Sequence, residues 1–400
     1  MDQRDLIVVG GGPAGVMAGL LFARAGCRVT VLEKHADFFR DFRGDTVHPS
    51  TMEIVDQLGW LEDFLERPHH RLVRAELTIA GREWLVGDLS KLHTPAPFIA
   101  MMPQWEFLDF LRDKAETFPG FSLCMAAPVA AFLDDGERIG GVRLEDGSEI
   151  RARLTIAADG RSSLVRKQRM LPVEVLGAPM DVLWFRVAKT GGGNALRGRI
   201  EQGRLLAMID RGDYWQCAFI IPKGRAEVLK ADGIEALRRA IAQAAPELDL
   251  GELTSTDDLK LLSVELDRLT CWHRPGLLAI GDAAHAMSPI GGIGINLAIQ
   301  DAVAAANLLA RSLAEHRDVD GLLGEVQRRR MLPTRLVQAG QKRVQDEVIG
   351  RLLQPGPPLS DAPWLIKLLN RAPLLRRIPG RLIGLGVRRE RVESPDAYAA

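Results

Sequence analysis

Gly10-Gly11-Gly12-Pro13-Ala14-Gly15 opens the chain, and Ala158-Asp159-Gly160-Arg161-Ser162-Ser163 sits in its middle. Gly281-Asp282-Ala283-Ala284-His285 then leads into Pro289-Ile290-Gly291-Gly292-Ile293-Gly294-Ile295-Asn296. Glycine at such spacings lets backbone approach a ligand closely. A carboxylate beside it can accept hydrogen bonds from sugar hydroxyls. A dinucleotide requires three kinds of contact: a cradle for its pyrophosphate, polar groups for its ribose or ribityl hydroxyls, and backbone against its ring. The three segments can supply one each.

Each segment follows a short apolar run and precedes a helical pattern. Leu6-Ile7-Val8-Val9 reads as a buried parallel strand. Gly10 permits the tight turn, Gly12 the approach of a pyrophosphate, and Gly15 close packing of the helix. Pro13 suits a first helical turn, with Ala14 next. The free N–H groups and positive dipole end of that helix suit an anion. A second strand, Arg28-Val29-Thr30-Val31-Leu32, ends at Glu33 and Lys34. Glu33 lies 18 residues past Gly15, close to the distance expected of a ribose-binding acid. These residues alone leave NAD and FAD open, and also a glycine-rich turn in some other doubly wound sheet.

The later segments decide between them. Leu154-Thr155-Ile156-Ala157-Ala158 reads as a strand ending at Asp159-Gly160, and Leu277-Leu278-Ala279-Ile280 as another ending at Gly281-Asp282. Asp282 stands where a carboxylate can accept bonds from ribityl hydroxyls. Gly291, Gly292 and Gly294 let backbone run against a flat ring. A helix begins near Ile295 and Asn296, and its N-terminus can stabilise negative charge on the N1–C2 edge of a reduced flavin. FAD is therefore the expected cofactor.

With these motifs in this order, the chain resembles the class A flavoprotein aromatic hydroxylases, the family of para-hydroxybenzoate hydroxylase, over about residues 5–340. The resemblance rests on Gly10–Gly15 with Glu33, on Asp159, Gly160 and Arg166, and on Gly281, Asp282, His285 and Pro289. It implies an α/β fold: a Rossmann-like FAD-binding domain of the glutathione-reductase type, an inserted mixed β-sheet substrate domain, and a C-terminal helical segment. It also implies that NADPH or NADH reduces FAD, that dioxygen adds at flavin C4a, and that the hydroperoxide hydroxylates an aromatic substrate, phenolic or polycyclic. Arg43 and Gln104 resemble the family's contacts to the FAD phosphate–ribose region and flavin chain. Pro289, Gly291 and Gly292 match its reactive-face loop and are the candidate catalytic positions. Asp159 and Gly160 match a motif that serves both FAD and NAD(P)H. Ser288 and Ile293 depart from the family, many of whose members have proline and then glutamine or lysine there.

Composition is that of an ordinary globular protein, with 46% hydrophobic and 26% charged residues. Fifty-two basic and 52 acidic side chains give a formal net charge of zero, so no global field favours nucleic acid. Cys27, Cys124, Cys217 and Cys271 are scattered and read as buried free thiols of a reducing, cytoplasmic compartment. No histidine spacing suggests a metal, and His69-His70 after Pro68 reads as a solvated loop. No signal peptide and no transmembrane run are expected.

The expected FAD-binding domain is discontinuous, over residues 1–72, 100–172 and 271–345. Residues 73–99 and 173–270 form the expected substrate domain, and 346–400 a helical tail. Arg74 to Leu89 alternates like a strand pair turning at Ala80-Gly81-Arg82, and residues 226–246 look helical. The tail is proline-rich, then basic and apolar from Trp364 to Arg391. It reads as packing against the FAD domain, with peripheral membrane contact as the alternative. Monomer and homodimer are both open. Trp184 and Trp215 are candidate pocket residues and Tyr214 a candidate general base for a phenol, each with a structural core role as the competing reading. His48 reads as a loop or cap residue and His285 as a brace. Quinone-ring hydroxylase and polyprenyl reductase activities share the expected fold. A halogenase would need a second tryptophan that Trp215-Gln216-Cys217-Ala218-Phe219-Ile220-Ile221-Pro222 lacks. A redox sensor or scaffold has no positive sequence feature.

Overall fold

A computed structural model describes residues 3–39, 46–189, 196–201, 203–353 and 361–399. The apolar runs beside the three motifs become adjacent parallel strands. Arg4–Val9 lies between Val29–Leu32 and Glu149–Ala157. Phe121–Cys124 extends the sheet beyond Val29–Leu32, and Leu277–Ala279 extends it beyond Glu149–Ala157. Strand runs such as Leu6-Ile7-Val8-Val9 are buried throughout, as a sheet covered on both faces requires. Helix Pro13–Arg24 packs against helix Gly294–Ala314, and their close contact passes through Gly281. A Cβ on Gly281 would lie 3.2 Å from the Ala14 methyl and 3.0 Å from that of Ala298. The segment Ile290–Ala314 is long and apolar enough to cross a membrane by length and composition, but it is mostly buried in this core.

A seven-stranded mixed sheet stands apart from the first. Its order is Lys260–Leu262, Met180–Ala188, Tyr214–Pro222, Arg204–Asp210, Leu196–Glu201, Arg74–Ile79 and Arg82–Asp88. Only Leu196–Glu201 and Arg74–Ile79 pair in parallel. Ala80 and Gly81 both take positive φ and close the expected hairpin. The expected helix over 226–246 divides into Ala226–Ala231 and Ile234–Ala244, because Gly233 between them takes φ +84°. These helices cover one face of the sheet through Leu237 and Ile241. The other face carries Met180, Val182, Ala218 and Ile220 in a separate cluster.

The tail is helical only in part. Helices Trp364–Arg371 and Arg377–Leu385 are followed by an extended strap from Gly386 onward. Side chains of helices Gly294–Ala314 and Pro13–Arg24 hold the strap. Asn307 accepts hydrogen bonds from the Glu393 and Ser394 N–H groups and donates to the Arg391 carbonyl, and Arg24 pairs with Asp396. All four cysteines are free, but only Cys27 and Cys217 are buried; Cys271 is half-buried, and Cys124 is exposed because it ends the edge strand Phe121–Cys124.

Candidate active site

The three motifs meet at the carboxyl ends of the parallel strands. A Cβ on Gly10, which takes φ +106°, would lie 2.5 Å from the Ala158 carbonyl oxygen; one on Gly15 would lie 1.9 Å from the Gly10 carbonyl oxygen. Both positions therefore exclude any side chain. Gly12 differs: a Cβ there would meet nothing within 4 Å. That open space lies at the start of helix Pro13–Arg24, which no side chain caps. It is where an anion can approach free N–H groups. Glu33 stands beside it and accepts hydrogen bonds from the Gly11 N–H at 2.9 Å and the His35 N–H at 3.0 Å. Lys34 is exposed nearby, and its charge acts on Asp159.

Asp159 accepts a hydrogen bond from the Leu164 N–H through Oδ2 at 2.8 Å, which stabilises the turn into helix Leu164–Lys167. Its Oδ1 is shielded from solvent and has no hydrogen-bond partner among the described residues. Burial raises the Asp159 carboxyl pKa, against the Ser163 and Leu164 hydrogen bonds and the Lys34 charge. Gly160 follows with φ +79°. Asp282 is one-third exposed and pairs with Arg161 Nε at 3.2 Å. The Arg161 contact was not expected from the sequence. Arg166 is turned inward, bridging the Ala283 carbonyl at 2.9 Å and Asp267 at 2.6 Å.

The segment Pro289–Gly294 is a short 3-10 turn running into the long helix, with Gly291 at φ +78° and Gly292 at +63°. A Cβ on Gly292 would meet the Thr46 hydroxyl at 2.4 Å. Asn296 is buried, and its side chain is used within the protein. Its Oδ1 accepts from the His48 N–H at 2.8 Å and the Thr51 hydroxyl at 2.7 Å, and its Nδ2 donates to the Thr46 and Gly292 carbonyls. The helix start at Gly294 and Ile295 thus offers backbone rather than the Asn296 side chain. His48 is the residue before helix Pro49–Gln57 and is fully buried. Its Nδ1 lies 2.8 Å from the Ile383 carbonyl, and burial lowers its pKa to about 4.

Three glutamines that sequence reasoning missed brace this loop from behind. Gln341 donates to the Ser288 and Ile290 carbonyls, both at 3.0 Å, and accepts from the Ser288 N–H at 3.2 Å. Gln345 donates to the Ser288 hydroxyl at 2.8 Å, and Gln338 to the Asp267 and Ala286 carbonyls. Ser288, one of the departures from the family, thus has a partner in this chain. The available signal was a polar row at 338, 341 and 345, a spacing that marks one helix face. A second missed set is ionic. His285 Nε2 lies 2.5 Å from Asp301, whose other oxygen accepts from Arg330 Nε at 2.9 Å. Arg330 reaches Glu390 of the strap at 3.4 Å, and Arg329 pairs with the same carboxylate at 2.6 Å. Burial alone would raise the Asp301 pKa; the charges of His285 and Arg330 hold it below its ordinary value.

Strand alternation sorts the aromatic candidates. Trp215 belongs to the helix-covered face, packing under Lys189 and Arg197. It therefore does not line the face toward the loop, because its neighbours on the strand alternate. Trp184 is on that face, in the clusters that also contain Ile290 and Ile209. Tyr214 starts the same strand as Trp215 and is half-buried. Gln104 opens helix Gln104–Ala115, half-buried and without a capping bond. Arg43 lies outside the described residues. His69 stacks on Phe98, and no metal-binding cluster of His, Cys, Asp or Glu occurs among the described residues.

The open cradle at Gly12, the uncapped helix start beside it and the unpartnered Asp159 oxygen fit a dinucleotide. Comparison with known proteins agrees. The FAD binding domain family matches residues 3–340. The 6-methylpretetramide 4-monooxygenase of Streptomyces rimosus is 34% identical over 334 residues, covering 82% of this chain and 80% of that protein. The 3-demethoxyubiquinol 3-hydroxylase of Escherichia coli is 27% identical, covering 84% and 88%. Among solved structures, PqsL of Pseudomonas aeruginosa in complex with 2-aminobenzoylacetate superposes with a TM-score of 0.75 at 24% identity, covering 88% of this chain and 98% of that one. From the motifs, the cradle and these similarities together, the chain belongs to the FAD binding domain family, among its class A FAD-dependent aromatic monooxygenases.

Proposed function

We propose that this monooxygenase acts on a large phenolic or polycyclic aromatic compound held between the seven-stranded sheet and the loop Pro289–Gly292. One observation carries the reading: Ile290 of the loop packs in the same apolar cluster as Trp184, Ala218 and Ile220 of the sheet face. An apolar face opposite a backbone loop suits a flat ring and excludes water. The 34% identical relative is named for action on 6-methylpretetramide, which agrees with this size class.

Bound FAD supplies electron transfer from NADPH or NADH and the activation of dioxygen. The chain supplies the rest. The Gly10–Gly15 turn and the helix start at Pro13 and Ala14 hold the pyrophosphate. Glu33 holds a ribose, and Asp282 the ribityl hydroxyls once released from Arg161. Asp159 and Gly160 border the same crevice, with Lys34 and Gln104 at its rim. The N-terminus of helix Gly294–Ala314 stabilises negative charge on the ring edge. Gln341 and Gln345 hold the Ser288–Ile290 backbone still while the substrate ring sits above it. Residues 1–72, 100–172 and 271–345 form the FAD-binding unit of this scheme, and 73–99 with 173–270 the substrate unit.

Anaerobic reduction of the bound flavin by NADPH and by NADH, with and without a panel of phenols and linear polycyclic phenols, tests the proposal. The expected result is reduction accelerated by one polycyclic class. Reduction by neither nicotinamide, with turnover only when reduced flavin is supplied, would overturn it. Acceleration by single-ring phenols alone would remove the size assignment.

A further inference from the structure

Helices Trp364–Arg371 and Arg377–Leu385 both pack on the edge strand Arg82–Asp88. Their inner sides are closed. Asn370 bonds both the N–H and the carbonyl of Leu85. A Cβ on Gly380 would stand 2.3 Å from the Asp88 carbonyl oxygen, and one on Gly384 2.8 Å from the Leu92 side chain. The apolar residues left outside face away from these contacts and are not covered by any described residue. Trp364 is 75% exposed, Leu374 69% and Ile378 64%, with Leu368 and Leu382 beside them. Arg371, Arg377 and Arg381 are exposed among them and form no ion pair among the described residues. No Asp or Glu occurs between 364 and 389, in a chain whose formal net charge is zero.

We propose that this plate docks on an anionic lipid surface. Surface-lying helices of this kind sink apolar side chains to the headgroup boundary and leave basic ones among lipid phosphates. Charge separates this occupant from a second copy of the chain. An isologous contact would set the plate against itself, arginine against arginine, whereas anionic headgroups complement it. The plate also backs onto the substrate side. Ile383, from the helix that exposes Ile378 and Leu382, packs with Met101, Ile209 and Trp184. If the aromatic substrate is as proposed above, docking brings its pocket wall to the phase into which such a compound partitions. That clause rests on the proposed function; the docking itself does not.

Co-sedimentation of the flavin-loaded chain with vesicles tests it without turnover, so its failure is separate from failure of the substrate assignment. The protein should pellet with phosphatidylcholine–phosphatidylglycerol vesicles, be released by salt, and bind phosphatidylcholine alone weakly. Arg377→Gln with Arg381→Gln should reduce the partition coefficient roughly thirtyfold. Leu374→Glu with Ile378→Glu should abolish sedimentation, with melting temperature and flavin absorbance unchanged. In the unmutated protein, the emission difference against Trp364→Phe should shift to shorter wavelength on vesicles. Absence of sedimentation, equal sedimentation with both vesicle types, or a dimer in light scattering that Ile378→Glu dissociates would each overturn the proposal.

Discussion

The nucleotide side of the site and its reactive-face loop are built from different materials. The cradle is backbone: Gly10 and Gly15 have no room for a side chain, and a Cβ on Gly12 would meet nothing within 4 Å. The loop is held by distant side chains: Gln341 and Gln345 on Ser288, and Asn296 joining His48 to Gly292. The first construction is backbone against backbone, Gly10 on Ala158 and Gly15 on Gly10. The second also needs Gln341 and Gln345, which lie in and just after helix Leu323–Val344.

The sharpest test of that contrast lies within the cradle. Gly15→Ala places a methyl against the Gly10 carbonyl and should abolish soluble, flavin-containing protein. Gly12→Ala should fold with an unchanged melting temperature yet purify without flavin. Equal folding of the two variants would break the distinction between a packing glycine and a ligand glycine. Next in size is Arg330→Met, which removes the buried cation shared by Asp301 and Glu390 and leaves them to His285 and Arg329. A loss of about 3–5 kcal/mol in denaturant unfolding is expected. A smaller effect is set by pH. His48 is held neutral by burial, with a pKa near 4 against an ordinary value of 6.5. The unfolded chain therefore binds the extra proton between these values. Stability should be full above pH 6.5 and fall as pH drops toward 4, by up to about 3 kcal/mol. His48→Asn should flatten that limb in a series of melting temperatures. The smallest expected loss is that of Gln341→Leu, about 1–3 kcal/mol from unpaired carbonyls. Its flavin content should be unchanged, while the ratio of hydrogen peroxide to hydroxylated product rises.

The same contrast explains what the sequence made legible. The tight turn at Gly10 and the close helix packing at Gly15 were legible from the spacing of the motif, although the atoms that Gly10 meets belong to Ala158 and Asp159. The hairpin at Ala80-Gly81 was legible because its turn is local. Asn296 was legible as a position in a motif but not as a buried hub, because His48 and Thr51 lie about 245 residues away. Arg166 and Arg161 likewise depend on Asp267 and Asp282, which only the folded sheet brings near. Trp215 and Trp184 look equivalent in composition; strand parity alone separates them. The strap after Gly386 carries no periodic pattern, and its place depends on distant partners, Asn307, Arg330 and Arg24.

That strap reaches back to the crevice through a chain of buried charges. Arg330 is buried between Asp301 and Glu390, and Asp301 also holds the Gly281 N–H at 3.1 Å beside the flavin crevice. Glu390 is the second buried anion of Arg330, and Asp301 is the first. A change in the strap is therefore felt at the crevice, because the carboxylate that holds Gly281 shares its guanidinium with Glu390.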